Sequence, residues 1–134
     1  MTIYMTPNIS DEQIEEMDVF DAFRKGEELL DSRFPRDAVR VLRKVIAAEP
    51  GNASAWELIG RAHFAAAQLV PAEQAFRRLV ELDPTYGWAQ TALALSLDRQ
   101  SRHSEGAVHH RLATAMGMPE RRTTRVELVD EPVG

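Results

Sequence analysis

The chain has 134 residues, enough for one domain of ordinary size but too few for a catalytic domain together with a regulatory one. Its 16 Lys and Arg residues stand against 21 Asp and Glu, and the net charge of −5 argues against nucleic acid or a membrane surface as a partner. There is no cysteine, which excludes disulfides, thiol nucleophiles and cysteine-ligated zinc.

The beginning of the chain and its hydropathy predict a cytoplasmic protein. The opening MTIYMTPNISDEQ has no basic cluster followed by an apolar run, as a secretory signal would have. No stretch reaches the roughly 18 to 20 apolar residues that a membrane-spanning helix needs. Residues 1–9 are expected to be a flexible N-terminus.

Six helices with short connections, and no strand, are predicted along the chain. The first begins near Asp11, after the capping residue Ser10, and is expected to run unbroken to about Ser32. Pro35 suits the start of the second helix, which ends at a Pro-Gly-Asn turn. The later predicted helices span about 36–48, 53–67, 71–82, 87–100 and 105–116, and residues 121–134 form a flexible C-terminal tail.

An interval of 34 residues relates landmarks along the chain. Gly60, Ala72 and Pro84 have counterparts one interval earlier (60 − 34 = 26, 72 − 34 = 38, 84 − 34 = 50). Those earlier residues are Gly26, Ala38 and Pro50, and the later counterparts are Ala94, Gly106 and Met118. Such a period is typical of stacked helical hairpins. The small residues are expected to meet as Gly26 with Ala38, Gly60 with Ala72 and Ala94 with Gly106, where the two helices of a hairpin approach closely.

These landmarks resemble the tetratricopeptide repeat family. The middle unit matches best, through Trp56, Ile59, Gly60, Ala72, Phe76 and Pro84, whereas the outer units depart from the pattern, for example at Ala22 and Gln90. The resemblance implies an all-α fold, a right-handed superhelix of three stacked antiparallel hairpins at about 19–52, 53–86 and 87–120, with an extended first helix. It also implies a concave groove, lined by the first helix of each hairpin, that holds other proteins.

The groove side implied by the resemblance is unusually apolar. The predicted groove residues are Phe20, Phe23, Glu27, Leu30, Glu57, Leu58, Arg61, Phe64, Trp88, Leu95 and Arg99. One interpretation is a site for an apolar peptide or amphipathic helix, anchored by aromatic rings and oriented by the charges. The alternative is that several of these side chains are ordinary core of helices buried on two sides.

Two further expectations concern partners. Family members that bind acidic chaperone tails carry Lys, Asn and Arg where this chain has Phe23, Glu27, Leu58, Trp88 and Ala92, so that role is not expected. No capping helix is predicted after the third hairpin, which leaves Leu93, Leu97, Val108, Leu112 and Met116 with uncertain cover. Either the tail folds back or a second copy covers them, and a homodimer is predicted.

No catalytic arrangement is visible, and neither a cofactor nor a metal is expected. Glu105 and His109 lie four residues apart on one helical face, beside His103 and His110, but two ligands on one helix do not make a zinc site. The glycines are scattered singly, without a phosphate-binding loop. The sequence is therefore interpreted as a non-enzymatic protein–protein interaction module, an adaptor, assembly factor or chaperone-like holder; the alternative is a self-associating structural protein whose groove or open end is filled by its own tail or a second copy.

Overall fold

The computed structural model describes residues 9–119, and within that range it contains seven helices and no strand. A short helix, α1 (Asp11–Glu16), precedes three antiparallel hairpins. The hairpins are α2 (Val19–Asp31) with α3 (Pro35–Ala48), α4 (Ala53–Ala65) with α5 (Leu69–Leu82), and α6 (Gly87–Asp98) with α7 (His103–Ala115). Because α3 also packs on α4 and α5 on α6, the hairpins stack into an all-α right-handed superhelix.

The first helix is interrupted, so the expectation of an unbroken helix from Asp11 to about Ser32 is wrong. Met17 leaves α1 with an extended backbone, and Asp18 caps α2 by accepting a 2.7 Å hydrogen bond from the Asp21 amide. An aspartate side chain competes for nearby backbone N–H groups, which favours a helix start over a helix interior. The break lets α1 turn onto α3, where the Lys44 ammonium donates a 3.0 Å hydrogen bond to the Ile14 carbonyl.

The other helix ends lie within two residues of their predicted positions. Two helices begin two residues early, α7 at His103 and α5 at Leu69, which places Pro71 in the first turn of α5. The amide of a residue in the first turn has no partner within the helix, so a proline there costs little. The predicted N-terminus at 1–9 lies outside the described residues except for its last residue, and the tail at 121–134 lies wholly outside them.

Each hairpin turn contains one residue in the left-handed conformation. These residues, Arg33 (φ 70°), Ala67 (φ 60°) and Ser101 (φ 63°), follow one another at the 34-residue interval. After each of them, the next amide donates to a carbonyl five residues back, as from Phe34 to Leu29 at 2.8 Å. This bond satisfies a carbonyl at the end of the first helix, so the repeat extends to the backbone hydrogen bonds of the turns.

Close helix approach occurs at three glycines. A Cβ atom on Gly60 would lie 2.7 Å from a carbon of the Phe76 ring, and one on Gly106 would lie 3.2 Å from the Ala94 carbonyl oxygen. Gly106 thus approaches the Ala94 backbone as expected, but the nearest side chain to it is that of Asp98, one helical turn beyond Ala94. At Gly26 and Gly60 the nearest side chains are those of Leu42 and Phe76, one helical turn beyond the expected alanines.

The core consists of two clusters of buried side chains, and Trp56 contacts both. The Trp56 indole donates a 2.9 Å hydrogen bond to the Pro50 carbonyl, which ties the ring to the turn between the first two hairpins. The third hairpin is better covered than expected, because Leu93 and Leu97 are fully buried. Exposed apolar surface remains on α7, at Val108, Leu112 and Met116.

A buried carboxylate joins the second and third hairpins. Glu73 on α5, only 7% exposed, accepts hydrogen bonds from Arg77 (2.9 Å), Gln100 (3.0 Å) and Arg102 (2.7 Å). Burial would raise the pKa of Glu73, but these donors outweigh burial and hold it below its ordinary value. Glu73 thus ties α5 to the turn between α6 and α7, with Arg77 as a further donor to its carboxylate.

Candidate functional site

An apolar pocket of about 270 Å³ lies between α4 and α6, with Phe76 of α5 at its base. We call it the Trp88 pocket, and its lining consists of Arg61, Phe64, Ala65, Phe76, Trp88, Thr91, Ala92 and Leu95. It is smaller than a typical site for a drug-sized ligand, which starts at about 300 Å³. Its size and apolar walls suit one or two aliphatic side chains.

The Trp88 ring is held by two aromatic neighbours. Tyr86 stacks beside it with ring centroids 5.8 Å apart, and Phe76 meets it edge-on, also at 5.8 Å. Such contacts stabilise a ring beyond the burial of its surface. The pocket wall is therefore built before any ligand arrives, which lowers the entropic cost of binding.

Two guanidinium groups border the apolar surface. The Arg99 guanidinium lies 5.0 Å from the centroid of the Phe64 ring, and Arg61 lines the pocket directly. Both arginines are exposed, and within residues 9–119 neither is paired with a carboxylate within 4.0 Å. They are thus available to a negatively charged group bound at this surface.

A negative charge lies near the pocket at the start of α6, beside Tyr86. Burial raises the pKa of the Tyr86 hydroxyl, and the neighbouring Glu57 carboxylate raises it further, while Arg61 acts in the other direction. Glu57 therefore lies near Tyr86 and the start of α6, whereas Arg99 follows the end of α6. The pocket consequently has an electrostatic direction, from acidic at the start of α6 to basic at its end.

Thr91 is a wall residue that the sequence prediction missed. Its hydroxyl oxygen is buried and has no hydrogen-bond partner in the described part of the chain. A threonine in the middle of a helix gives no sequence signal of this kind, because its partners depend on which helix faces it. The unpartnered hydroxyl and the pocket occur on the same turn of α6.

The structure brings five of the eleven predicted groove residues together: Arg61, Phe64, Trp88, Leu95 and Arg99. Phe20 and Phe23 line a separate shallow depression at the start of α2, where Phe20 is 67% exposed. Leu58 is buried in the core at 8% exposure, and Leu30 packs against the same cluster. Glu27 is exposed on α2, and Glu57 is half-buried beside Tyr86.

The histidines on α7 have partners other than those expected from spacing. Glu105 pairs with Arg102 at 2.7 Å, whereas His109 shares a 2.7 Å hydrogen bond with Gln90 and His110 lies 2.8 Å from an Asp98 carboxylate oxygen. Among residues 9–119, no three histidine, aspartate or glutamate side chains converge where a metal ion could bind. None of the helices described is both long and apolar enough to cross a membrane.

Comparison with known sequences and structures places this architecture in a family. The profile of the tetratricopeptide repeat matches residues 23–87, which include α4, α5 and most of the first hairpin. The matched part of the chain consists of tetratricopeptide repeats. Among curated protein sequences, none matches it. The repeats form a scaffold for protein–protein interaction, and the Trp88 pocket lies between the first helices of the second and third repeats.

Several solved structures of the protein MamA are similar to this chain. MamA from Desulfovibrio magneticus RS-1 is 28% identical, with a TM-score of 0.74 over 80% of this chain and 62% of that one. MamA of AMB-1 is 25% identical, with a TM-score of 0.73 over 79% of this chain and 66% of that one. A mutant of MamA is 24% identical, with a TM-score of 0.74 over 81% of this chain and 80% of that one. At this identity the similarity shows the fold alone. The chain thus spans about three fifths of the length of the first of these structures.

Proposed function

We propose that this protein is a non-enzymatic adaptor, assembly factor or chaperone-like holder that binds an apolar peptide segment, or the apolar face of an amphipathic helix, from another protein. The observation that carries the proposal is the preformed apolar pocket bordered by two guanidinium groups without carboxylate partners. An aliphatic or aromatic side chain of the ligand enters the Trp88 pocket, and an acidic residue near it meets Arg61 or Arg99.

The net negative charge of the chain supports a protein partner over nucleic acid or a membrane surface. The remaining predicted groove residues, Phe20, Phe23, Glu27 and Leu30, extend the surface along the first repeat. They stay a prediction, since Phe20 and Phe23 belong to a different depression from the Trp88 pocket.

The test is a displayed library of random peptides, selected on the full chain, followed by affinity measurements on the selected peptides. We expect apolar residues flanked by Asp or Glu, and we expect Trp88→Ala to weaken binding about 30-fold, since a central aromatic contact is worth roughly 2 kcal/mol or more. Arg61→Glu should selectively weaken the binding of peptides that carry acidic residues.

Val70→Ala is the matched control, because it shortens an exposed apolar side chain of α5 that does not line the pocket. Circular dichroism melting of each variant verifies that the fold persists. Selected peptides that bind Trp88→Ala as tightly as the unmodified chain would show that the pocket is not the binding site.

A second function is favoured by the exposed side chains of α7. Val108, Leu112 and Met116 lie four residues apart along one side of the helix and are each 40% exposed or more. An apolar strip at the end of a repeat stack suits contact with a second copy, because within residues 9–119 no further helix packs on that side of the third hairpin. Self-association through α7 would make the protein a structural oligomer.

A further inference from the structure

We infer that residues 126–131 of this same chain, with the sequence VELVDE, occupy the Trp88 pocket and compete there with external peptides. The inference rests on the proposed peptide-binding function and names a ligand for the same site. Three observations carry it: the chemistry of this segment, the place where the chain leaves α7, and the order of charges along the pocket.

The composition of the segment complements the pocket. Val126, Leu128 and Val129 offer aliphatic side chains, and Glu127, Asp130 and Glu131 offer carboxylates. In an extended segment, Val126 and Leu128 project to the same side, so both can face an apolar wall. The carboxylates then lie within reach of Arg61 and Arg99, which have no carboxylate partner within residues 9–119.

The chain leaves the described fold close to the pocket. The Met118 side chain lies against Gly87, so that a Cβ atom on Gly87 would be 2.7 Å from the Met118 Cγ. Gly87 is the residue before Trp88, and the pocket extends along α6 from Trp88 to Leu95, a distance of about 10 Å at 1.5 Å per residue. The seven residues from 119 to 126 span up to roughly 23 Å when extended, which is ample.

The order of charges in the tail matches the direction of the pocket. Beyond Met118 the chain first carries Arg121, Arg122 and Arg125, and the three carboxylates follow. A segment that runs along α6 from its start therefore passes Glu57 with its basic residues and reaches Arg99 with its acidic ones. The reverse direction would place like charges together at both ends.

Two features of the molecule favour the pocket over the apolar strip on α7. The strip is exposed on the side of a single helix and has no concave wall, whereas the pocket is formed by three helices. Near α7, Arg102 is already paired with Glu73 and Glu105, and within residues 9–119 only Arg111 on the helix is without a carboxylate partner, whereas the pocket has both Arg61 and Arg99. A short tether also gives the segment an effective concentration in the millimolar range, so even a weak contact is substantially occupied.

The lack of cysteine allows a direct test on the full chain. Val133→Cys introduces a single thiol for a nitroxide spin label, and the amide NMR signals of the ¹⁵N-labelled chain report which residues lie near it. We expect selective broadening at Phe64, Leu95 and Arg99. Leu128→Asp in the labelled chain should abolish that broadening, and the helices described between residues 9 and 119 keep their own sequence in this variant.

A mixed sample identifies the chain that supplies the segment. When spin-labelled chains without ¹⁵N are mixed with ¹⁵N chains without the label, an intrachain contact produces no selective broadening. Selective broadening that persists in the mixed sample would assign the pocket to a second copy's tail and overturn the inference. Broadening centred on Val108, Leu112 and Met116, or spread evenly over the molecule, would overturn it as well.

Competition separates this inference from the proposed function. Leu128→Asp should tighten the binding of a selected external peptide about three- to tenfold, because the pocket no longer has an internal occupant. Unchanged affinity in Leu128→Asp, with binding still sensitive to Trp88→Ala, would refute the tail contact and leave the function intact. Loss of all Trp88-dependent peptide binding together with persistent tail broadening would instead contradict the proposed function.

Discussion

His109 is a residue whose ionisation the fold alters. It lies on α7 with its Nδ1 atom 2.7 Å from the Gln90 side-chain oxygen. Burial lowers the pKa of His109, and the positive charge of Arg77 lowers it further, against the opposing effect of Glu105. The neutral imidazole is therefore the form that the folded state prefers, and its role is to join α6 to α7.

The pH dependence of stability follows from this lowered pKa. An unfolded chain binds a proton at His109 near pH 6.5, whereas the folded chain does so only at lower pH, so acid favours the unfolded state. We expect this contribution to be complete above about pH 6.5 and to be lost as the pH falls through the lower pKa of the folded protein. Urea denaturation between pH 7.5 and pH 5 should show a smaller decline for His109→Gln than for the unmodified chain. Parallel declines in the two proteins would contradict the prediction.

Thr91 and Glu73 both have buried polar groups on helices, but they differ in their hydrogen bonding. Glu73 is buried as an ion but receives hydrogen bonds from Arg77, Gln100 and Arg102. The Thr91 hydroxyl is buried without a partner in the described chain. Because its carboxylate accepts several hydrogen bonds, Glu73 is a structural residue. The Thr91 hydroxyl, which has no such partner, lies in the candidate ligand site.

At the level of elements, the three hairpins share one turn geometry that no glycine provides. Arg33, Ala67 and Ser101 adopt positive φ angles, although a residue with a side chain pays for this conformation. The turn offsets this steric cost because it lets the following amide donate a hydrogen bond to a carbonyl at the end of the first helix. A glycine would provide the same geometry without the steric penalty.

Ala67→Gly is accordingly expected to raise the free energy of unfolding by about 1 kcal/mol, because it relieves the steric cost at φ 60°. Ala66→Gly is the matched control, since Ala66 has an ordinary φ of −86°. That substitution should lower stability by about 0.5 to 1 kcal/mol through the greater freedom of the unfolded chain. Urea denaturation of both variants checks the pair, and equal destabilisation by the two would show that the turn carries no strain.

On the scale of the whole molecule, the two ends of the stack differ. At the N-terminal end, α1 turns onto α3 and buries Ile14 in the first core cluster. At the other end of the described chain, α7 exposes Val108, Leu112 and Met116. This asymmetry favours the third repeat as the surface for the proposed self-association.

The molecular mass in solution tests whether the protein forms a homodimer through α7. We expect static light scattering at high micromolar concentration to give twice the 15.1 kDa of one chain, because two apolar strips cover each other. Leu112→Glu places a charge in that contact and should restore the mass of a single chain. Phe20→Glu, on the distant α2, is the control and should leave the mass unchanged. A single-chain mass for the unmodified protein would rule the dimer out.

The groove was predictable only in part, and particular residues show why. Arg61, Phe64, Trp88 and Leu95 come together because the 34-residue period places α4 beside α6, which the sequence reveals. Leu58 was equally apolar and on the same helix, but it points into the core cluster. Apolar character alone does not distinguish the two faces of a helix that contacts neighbours on both sides.

The sequence by itself determined the architecture: the period, the capping residues and the prolines specify three helical hairpins, since these signals are local and repeat along the chain. Only the tertiary structure decided where α1 ends, how Glu73 is satisfied, and which side chains surround Trp88. These depend on contacts between residues far apart in the chain, such as Glu73 with Arg102, for which no local pattern exists. The physical reason is that helix formation is governed by neighbours in sequence, whereas a pocket is governed by neighbours in space.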